Sequence, residues 1–533
     1  MTKGAADYDV VVVGAGFAGL YGVYRYRADG LSVLGFEGAD DVGGVWYHNR
    51  YPGARCDVDS IDYSFSFSDE LQQEWVWTER NAAQPEILAY LNHVADRFDL
   101  RPHFRFSTRV TSVRRGADGL WTVGTDKGDT VTCRFIVLAT GGLSEPKKLP
   151  FEGLDDFQGE WYLTSRWPKT EPDLAGKRVG LIGTGSSGLQ ATPEIAKVAS
   201  HLDVFQRTPV FTIPAKNVPT DMERFNAIRA RYPQYRAEIR NTRVGTSTSA
   251  GTGKSGWDFT PEERHELLAK QWEKGGGGFV GTFTDISRDL KINEEASEFV
   301  RERIRETVKD PAVAAKLSPY DHPIGTRRIC VDTDYYETFN RPNVTLVDVR
   351  ATPITRITKT GIQTTEAEYP LDVIVFAIGF DALTGAASAI DIRNEAGESL
   401  GETWQKDLQT YLGLMTAGFP NLFVVTGPLS PSVLVNLVPA VEHDIDWVSE
   451  CIRYLDSHGL KSIEADPEAQ AAWSAHVDEL GAQTLFSKAK SWYMGDNIEG
   501  KPRRLLAYVG GFDAYTRRVR EIVEAGYQGF KLS

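Results

Sequence analysis

Short apolar runs that end in glycine mark recurring units along the chain. Val10, Val11, Val12 and Val13 lead into Gly14, and a helical pattern of apolar positions follows. A β-branched run of this length is typical of a strand buried on both faces of a parallel sheet. The same order recurs where residues 178–182 lead into Gly183. The pattern predicts two strand–turn–helix units of one kind, each the start of an α/β domain.

Composition narrows the class of protein. The chain has 533 residues and a formal net charge of −14, which argues against nucleic acid as the main partner. Its four cysteines, Cys56, Cys133, Cys330 and Cys451, are far apart in sequence, whereas disulfide scaffolds, cysteine metal sites and dithiol redox centres need close sets. No apolar run has the length of a signal core or a membrane span. We therefore expect a cytoplasmic enzyme without a metal site or a membrane partner.

A glycine fingerprint follows the first predicted strand, with the sequence Gly14-Ala15-Gly16-Phe17-Ala18-Gly19. Gly14 permits a tight turn, Gly16 lets the backbone approach a pyrophosphate, and Gly19 allows close helix packing. The following helix N-terminus offers unpaired N–H groups to a phosphate. Glu37 ends the next apolar run, at about the 20-residue spacing of a ribose-binding carboxylate. A solvated glutamate without a ligand is the alternative reading of that position.

A second fingerprint, Gly183-Thr184-Gly185-Ser186-Ser187-Gly188, follows the later strand. The residues after its next predicted strand are Gln206-Arg207-Thr208, so the expected acidic residue is replaced by arginine. A guanidinium suits a ribose 2′-phosphate, which favours NADPH over NADH, unless Arg207 is an ordinary surface residue. Two dinucleotide sites in this order predict an enzyme in which NADPH reduces a bound flavin, FAD.

These patterns predict an α/β fold with two Rossmann-like dinucleotide-binding domains and a helical insertion. We assign residues 1–145 plus 383–533 to the FAD-binding domain and residues 146–220 plus 326–382 to the NADP-binding domain. Residues 221–325 are the insertion, where charged helical segments predominate. Such an insertion either braces the two sheets or shapes the entrance for the substrate.

Several further motifs resemble one enzyme family. Gly43-Gly44-Val45-Trp46 continues through residues 51–57 to Asp57, and matching stretches lie at residues 326–328, 334–337, 379–382 and 491–493. Together they resemble the type I Baeyer–Villiger monooxygenases, particularly members that act on phenylacetone and steroids, over nearly the whole chain. The resemblance implies oxygen insertion beside a ketone carbonyl, which gives an ester or a lactone.

The same resemblance identifies Arg328 as the catalytic arginine and Asp57 as its carboxylate neighbour. The implied chemistry passes through an anionic peroxide on the flavin, and a fixed guanidinium would stabilise that charge and the charge on the substrate adduct. The guanidinium cannot itself supply a proton at working pH. A purely structural salt bridge between the two residues is the competing reading.

The family's cofactor contacts transfer residue by residue. The resemblance implies that NADP⁺ stays bound during oxygenation. Trp492 then either stacks on this cofactor or packs in the core. The FAD site contains Ala18, Glu37, Val45, Trp46, Asp57, Tyr63, Val110 and Leu437. The NADPH site contains Arg55, Gly183, Thr184, Gly185, Ser186, Ser187, Gly188, Gln190, Arg207, Thr208, Arg327 and Trp492. The cofactor-binding set also includes Gly14, Gly16, Gly19, Gly44, Cys56 and Gly142.

Two positions depart from the family pattern. The signature Phe-x-Gly-x-x-x-His-x-x-x-Trp-Pro is present from Phe157 to Pro168 except that Leu163 stands at the histidine position. Leucine neither donates a hydrogen bond nor titrates, so the function of that histidine is absent or relocated. His48 occupies a position where relatives usually carry tryptophan near the flavin. Both departures bear on the rate and on the coupling of NADPH oxidation to oxygenation.

Three other functions share these features. A flavin monooxygenase acting on nitrogen or sulfur has the same two dinucleotide units, but Arg328 and Asp57 argue against it, because soft nucleophiles prefer a protonated peroxide. An uncoupled NADPH oxidase is suggested by Leu163. A flavin-bound sensor would need an effector domain, for which there is no pattern.

The apolar character of residues 430–434 and of the region around Gln84, both placed at the substrate by resemblance, indicates a hydrophobic cyclic, aromatic or long-chain ketone. The expected partners are this ketone and O₂. We expect a monomer or a weak oligomer.

Overall fold

The structure is a computed structural model that describes residues 6–247 and 251–533. It has a mixed α/β architecture with two main sheets, which confirms the predicted fold class. None of the helices in the described residues is long and apolar enough to cross a membrane.

The first sheet has eight strands and contains the first fingerprint. Its valine run is buried and pairs in parallel with a strand on each side, as the sequence predicts for a central strand. Along the sheet the strands are Asp391–Arg393, Val110–Arg115, Trp121–Thr125, Thr130–Leu138, Tyr8–Val13, Val33–Phe36 and Phe104–Arg105, with Leu422–Val424 also paired to Thr130–Leu138.

Helices from both ends of the chain accompany this sheet. The N-terminal helix Phe17–Ala28 packs against the long helix Leu437–Ser457, so the C-terminal part of the chain completes the first core. The other helices of these two parts are Val45–His48, Asp69–Glu74, Gln84–Arg97, Gly385–Ser388, Leu400–Lys406, Pro467–Ala482 and Phe512–Glu524. A short antiparallel pair, Ile463–Ala465 with Phe530–Leu532, joins the C-terminal residues to this part.

The second sheet has five parallel strands and contains the second fingerprint. In order they are Val344–Asp348, His201–Gln206, Arg178–Ile182, Val373–Phe376 and Glu160–Leu163, and the helix Ser186–Val198 follows the fingerprint. Smaller sheets flank it, namely the antiparallel Ile354–Ile357, Gly361–Thr364 and Glu368–Pro370 and the parallel pair Thr212–Pro214 and Cys330–Asp332.

The helical segment between the two halves of the second unit contributes to two different cores. Its helices Met222–Arg229 and Tyr232–Arg240 bury apolar side chains in the core of the first sheet. Its helices Pro261–Lys274, Leu290–Thr307 and Pro311–Leu317 bury theirs in the core of the second sheet. This segment therefore connects the two sheets, while the predicted domain limits stay a prediction.

Both fingerprints begin with the same steric arrangement. Gly14 has φ +110°, and a Cβ atom there would lie 2.5 Å from the Ala139 carbonyl oxygen. Gly183 has φ +105°, and its Cβ would lie 2.4 Å from the Ala377 carbonyl oxygen. Only glycine fits such positions, so each turn lies directly against the end of a later strand of its own sheet.

Replacing the third fingerprint glycine tests this close packing. A Cβ at Gly19 would lie 1.8 Å from the Gly14 carbonyl oxygen, so Gly19→Ala should lower the free energy of unfolding by about 1–3 kcal/mol and weaken flavin retention. The control is Gly277→Ala, because no atom lies within 4 Å of its Cβ position, and it should change stability by less than about 1 kcal/mol. Equal urea midpoints for the two variants would contradict the packing argument.

Candidate active site

The loop of residues 51–57 runs between the cores of the two sheets. Tyr51 and Ala54 are buried in the core of the second sheet, whereas Cys56 is buried in the core of the first. A Cβ at Gly53 would lie 2.3 Å from the Gln190 carbonyl oxygen, so the loop lies directly on the helix Ser186–Val198. This crossing places Asp57 at the boundary between the two units.

Asp57 forms an ion pair with Arg328 at this boundary. Arg328 Nη2 donates to Asp57 Oδ2 at 2.9 Å, and the two residues are 271 positions apart in sequence. Arg328 comes just before the strand Cys330–Asp332, whose pairing with Thr212–Pro214 holds it in place. The Arg328 side chain is 34% exposed and that of Asp57 is 14% exposed, so the guanidinium faces open space and the carboxylate lies behind it.

The ion pair keeps Arg328 positively charged in a partly buried setting. Burial opposes the charge on Arg328, but Asp57 outweighs this effect and raises the pKa of the guanidinium above its ordinary value. Burial likewise raises the pKa of Asp57, and Arg328 opposes that rise. Arg328 is therefore charged at any working pH, which is what stabilisation of a developing anion requires.

The neighbouring titratable groups are neutral. Burial raises the pKa of Tyr493 to about 12 and that of the Cys330 thiol to about 11. Cys330 Sγ lies 3.3 Å from Ser186 Oγ, which brings the second fingerprint next to the strand that follows Arg328. The charge at the centre of the site therefore comes from Arg328 and Asp57.

The residues of the first fingerprint form a cradle that suits a dinucleotide. Gly16 and Gly44 face each other, and a Cβ at Gly44 would lie 2.9 Å from the Gly16 Cα. The Glu37 carboxylate accepts from the backbone N–H groups of Ala15 and Ala39, both at 2.8 Å. It therefore lies at the start of the fingerprint turn, as expected for a ribose-binding carboxylate. This bare, glycine-lined turn fits a pyrophosphate.

The other predicted FAD residues have the following surroundings, and their contact with FAD stays a prediction. Trp46 Nε1 donates to the Tyr63 hydroxyl at 3.1 Å, and Trp46 O accepts from Gln84 Nε2. Leu437 is the first residue of the helix Leu437–Ser457, directly after the buried Asn436. Val110 is buried at the start of its strand, Gly142 O accepts from Leu383 N at 2.7 Å, and Ala18 is half-buried in the first helix.

The second cradle has an open face and a cationic rim. No atom lies within 4 Å of a Cβ at Gly185, so this turn has room for a ligand. Arg207 is exposed, and burial together with Arg207 and Arg350 lowers the pKa of Arg327, against the opposing effect of Asp321. The buried Nε of Arg327 has no hydrogen-bond partner among the described residues. An excess of cations beside an open turn fits a ribose 2′-phosphate.

Some of the remaining predicted NADPH residues lie beside Arg207, whereas others have partners elsewhere. Thr184 Oγ1 donates to Thr208 O at 3.1 Å, so these two lie together with Arg207. Arg55 Nη1 donates instead to Glu79 Oε2 at 2.8 Å. Trp492 is half-buried, with its ring centre 4.2 Å from that of Tyr493. Whether each residue contacts a cofactor stays a prediction.

Two side chains near the site, those of Tyr493 and Arg350, are not among the site residues predicted from the sequence. The sequence signal for Tyr493 is its position next to Trp492 in a stretch that matches the family. Arg350 Nε donates to Arg207 O at 3.1 Å, and Arg350 follows the strand Val344–Asp348, which lies next to His201–Gln206. Cations after the carboxyl ends of adjacent parallel strands meet at one edge of a sheet, which is the signal for Arg350.

His48 lies among arginines on the FAD side. Burial, followed by Arg166, Arg109 and Arg50, lowers the pKa of His48 to about 4. In the described ranges 6–247 and 251–533, none of these three arginines has a carboxylate within salt-bridge distance. The imidazole is therefore neutral at physiological pH, and it keeps the uncharged character of the tryptophan found in the family.

Comparisons with known proteins agree with this geometry. A family model described as pyridine nucleotide-disulphide oxidoreductase matches residues 11–244. Acetone monooxygenase (methyl acetate-forming) of Gordonia sp. (strain TY-5) is 41% identical over 530 residues, which cover 98% of this chain and 99% of that protein. The chain belongs to the Baeyer–Villiger monooxygenase family. It is an NADPH-dependent flavin monooxygenase that uses FAD.

Solved structures of similar proteins share the whole fold of this Baeyer–Villiger monooxygenase. An oxidised steroid monooxygenase bound to NADP is 50% identical, with a TM-score of 0.94 and coverage of 98% of this chain and 99% of that chain. OTEMO in complex with FAD and NADP is 39% identical, with a TM-score of 0.96 and coverage of 99% and 100%. The four cysteines are free and buried in the structure.

One relative is named for a different activity. Phenazine N-monooxygenase PhzNO1 of Lysobacter antibioticus is 40% identical over 530 residues, which cover 98% of this chain and 97% of that protein. Overall similarity to a Baeyer–Villiger monooxygenase therefore does not by itself decide between carbon and nitrogen oxygenation, and the site residues must carry that argument.

The cationic rim of this Baeyer–Villiger monooxygenase predicts its cofactor preference. Arg207→Ala should raise KM for NADPH by about 10- to 150-fold, which corresponds to about 1.5–3 kcal/mol for a charged hydrogen bond, and should leave KM for NADH nearly unchanged. The control is Arg341→Ala, since this exposed arginine precedes the strand Val344–Asp348 and lies at its opposite end. Equal penalties for the two cofactors would sink the assignment of Arg207.

The setting of His48 predicts a pH dependence of stability. Its folded pKa of about 4 lies below the unfolded value of about 6.5, so protonation favours the unfolded chain. Stability should fall by up to about 3 kcal/mol from this group as pH drops from 6.5 to 4, and His48→Gln should remove that component. Urea unfolding at pH 7 and pH 4.5 measures the difference; identical losses in the two proteins would rule out the effect.

Proposed function

We propose that the protein inserts one oxygen atom from O₂ beside the carbonyl of a hydrophobic cyclic, aromatic or long-chain ketone, giving an ester or a lactone. Arg328 is the catalytic cation in this proposal, and Asp57 positions it. The observation that carries the proposal is the 2.9 Å ion pair, with the guanidinium exposed to open space and the carboxylate behind it.

The chemistry of carbonyl oxygenation supports this assignment. FAD, when bound, supplies the redox chemistry with NADPH and O₂. Negative charge lies first on the oxygen that attacks the carbonyl carbon and then on the substrate's carbonyl oxygen. A guanidinium that is already oriented and charged stabilises both positions without reorganising, and Asp57 prevents it from turning away.

Features of residues 430–434, which the family resemblance places at the substrate, support an apolar substrate. Residues 430–434 follow Leu429, and Leu429 and Ser432 have φ values of +66° and +41°, which non-glycine residues adopt only when the surroundings impose them. Ser430, Ser432 and Val433 are buried and Leu434 is half-buried, so this turn presents little polar surface. A hydrophobic ketone matches such a wall better than a charged one.

Oxygenation of nitrogen is the second candidate, because the phenazine N-monooxygenase is about as similar as the acetone monooxygenase. The two functions differ in the charge they need, since a nitrogen nucleophile attacks a protonated oxygen donor. NADPH consumption should be measured against panels of ketones and of nitrogen heteroaromatic compounds, with ester, N-oxide and hydrogen peroxide quantified together. Ester as the main product supports the proposal, N-oxide supports the alternative, and peroxide alone indicates an uncoupled oxidase.

The Arg328→Ala substitution tests the catalytic assignment. Ester formation should fall by at least about 10²–10³-fold because the developing anion loses its fixed charge, whereas FAD retention should not change, since the glycine cradle lies elsewhere. Arg328→Lys keeps the charge without the planar fork and should retain part of the activity. Ester formation by Arg328→Ala at the wild-type rate would disprove the mechanism.

A further inference from the structure

The side chain of Gln190 bonds to the loop that carries Asp57. Gln190 lies in the first turns of the helix Ser186–Val198. Its Nε2 donates to Arg55 O at 3.1 Å and to Asp57 Oδ1 at 3.5 Å, and its Oε1 accepts from the Tyr51 hydroxyl at 2.8 Å. Every polar atom of the amide is therefore directed at residues 51–57.

The chemistry of the partners fixes the orientation of this amide. A backbone carbonyl and an ionised carboxylate only accept hydrogen bonds, so the nitrogen of Gln190 must face Arg55 O and Asp57. Both of its N–H groups are then used, which leaves Oε1 for the Tyr51 hydroxyl. No donor of the amide remains free for a cofactor, so the NADPH-site prediction for Gln190 is compatible only with a contact through its backbone.

Gln190 and Arg328 share the carboxylate of Asp57. Oδ2 accepts from Arg328, and Oδ1 faces Gln190. A carboxylate held at one oxygen can rotate about its bond to Cβ, and the 3.5 Å contact of Oδ1 with Gln190 Nε2 restricts that rotation. The contact with Arg55 O fixes the backbone two residues before Asp57 as well.

We propose that Gln190 is a positioning residue that holds Asp57 in the orientation in which Oδ2 meets Arg328. This inference rests on the proposed role of Arg328. Ser186 lies four residues before Gln190, on the same face of the helix, and its hydroxyl touches Cys330, two residues after Arg328. One helix face thus contacts the surroundings of both members of the ion pair, and this helix begins at the second fingerprint.

The proposal separates oxygenation from cofactor binding. Loss of the Gln190 amide leaves Arg328 charged but less well oriented, so oxygenation should suffer while NADPH binding and flavin reduction are nearly unaffected. A residue that only stabilised the helix would lower thermal stability without changing how NADPH oxidation divides between ester and peroxide.

The test compares holoenzyme variants in NADPH oxidation with cyclohexanone, or with the panel ketone that the wild type oxidises fastest. Gln190→Leu keeps the size of the side chain without its hydrogen bonds, and it should lower kcat for ester formation and raise the peroxide-to-ester ratio by about 3- to 10-fold, with KM for NADPH within about twofold. Tyr51→Phe removes the hydroxyl that donates to Gln190 Oε1 and that also lies close to Ser187, and it should act in the same direction more weakly. Tyr51→Phe still tests the proposal if Gln190→Leu folds poorly.

The matched control is Asn343→Leu. Asn343 Nδ2 donates to Ala196 O and Ala199 O, both at 3.0 Å, at the other end of the same helix. This variant should lower Tm and leave the peroxide-to-ester ratio unchanged. A change in the ratio as large as that of Gln190→Leu would show that general loosening of the helix is the cause, which overturns the proposal.

A pH profile gives a second readout. The groups that face Asp57 are Arg328, Tyr51, Cys56, Cys330 and Tyr493, and burial raises the pKa of the two thiols and two phenols, so Arg328 alone is charged. Gln190→Glu adds a carboxylate beside Asp57 and should move the acid limb of ester formation to higher pH. Gln190→Leu should move it less in the same direction, and Asn343→Leu should not move it.

Arg328→Ala, measured in parallel, distinguishes the two levels of inference. If Arg328→Ala abolishes ester formation while Gln190→Leu and Tyr51→Phe keep the wild-type ratio and pH profile, the role of Gln190 is wrong and the proposed function stands. If Arg328→Ala forms ester at the wild-type rate, the proposed function is wrong.

Discussion

The ion pair between Asp57 and Arg328 constrains the placement of the two sheets. Asp57 is largely removed from water whereas Arg328 is partly exposed, and a buried carboxylate without a partner is unfavourable, so the segments that carry the two groups must meet. Asp57 comes from a loop anchored in both cores, and Arg328 precedes the strand Cys330–Asp332. The mutual position of these segments is thus set by electrostatics as well as by apolar packing.

The connections between the two units reinforce this placement. The chain leaves the first sheet after Ala139 and returns from the second after Ala377, the two residues that the turns at Gly14 and Gly183 touch. The two connections then pair antiparallel, with Asp381 N donating to Glu145 O at 2.9 Å and Lys147 N to Gly379 O at 3.3 Å. Each cofactor turn therefore adjoins a connection, so a ligand bound at one turn lies close to the boundary between the sheets.

Features that depend on local constraints could be predicted from the sequence, whereas features that depend on contacts between distant residues could not. The valine strand and the turns at Gly14 and Gly183 were predicted because periodicity and backbone sterics are local. The pairing of Asp57 with Arg328 came only from family resemblance, because nothing local joins residues 271 positions apart. The contacts of Gln190 depend on how a loop lies on a helix, and the division of the helical segment between two cores depends on long-range packing. Patterns along a single chain do not contain that information.

The two departures from the family pattern lie at one junction. Leu163 ends the edge strand of the second sheet opposite Phe376 and packs against the apolar cluster that includes Ile182, where an imidazole would need a polar partner. Four residues later, the Trp167 backbone N–H donates to His48 O at 3.1 Å, and the indole is buried in the second core. The link between the units at this junction is therefore a hydrogen bond between backbone atoms. It needs no side chain from residue 48 or residue 163. This arrangement tolerates leucine at the signature position, because the connection does not depend on the histidine side chain.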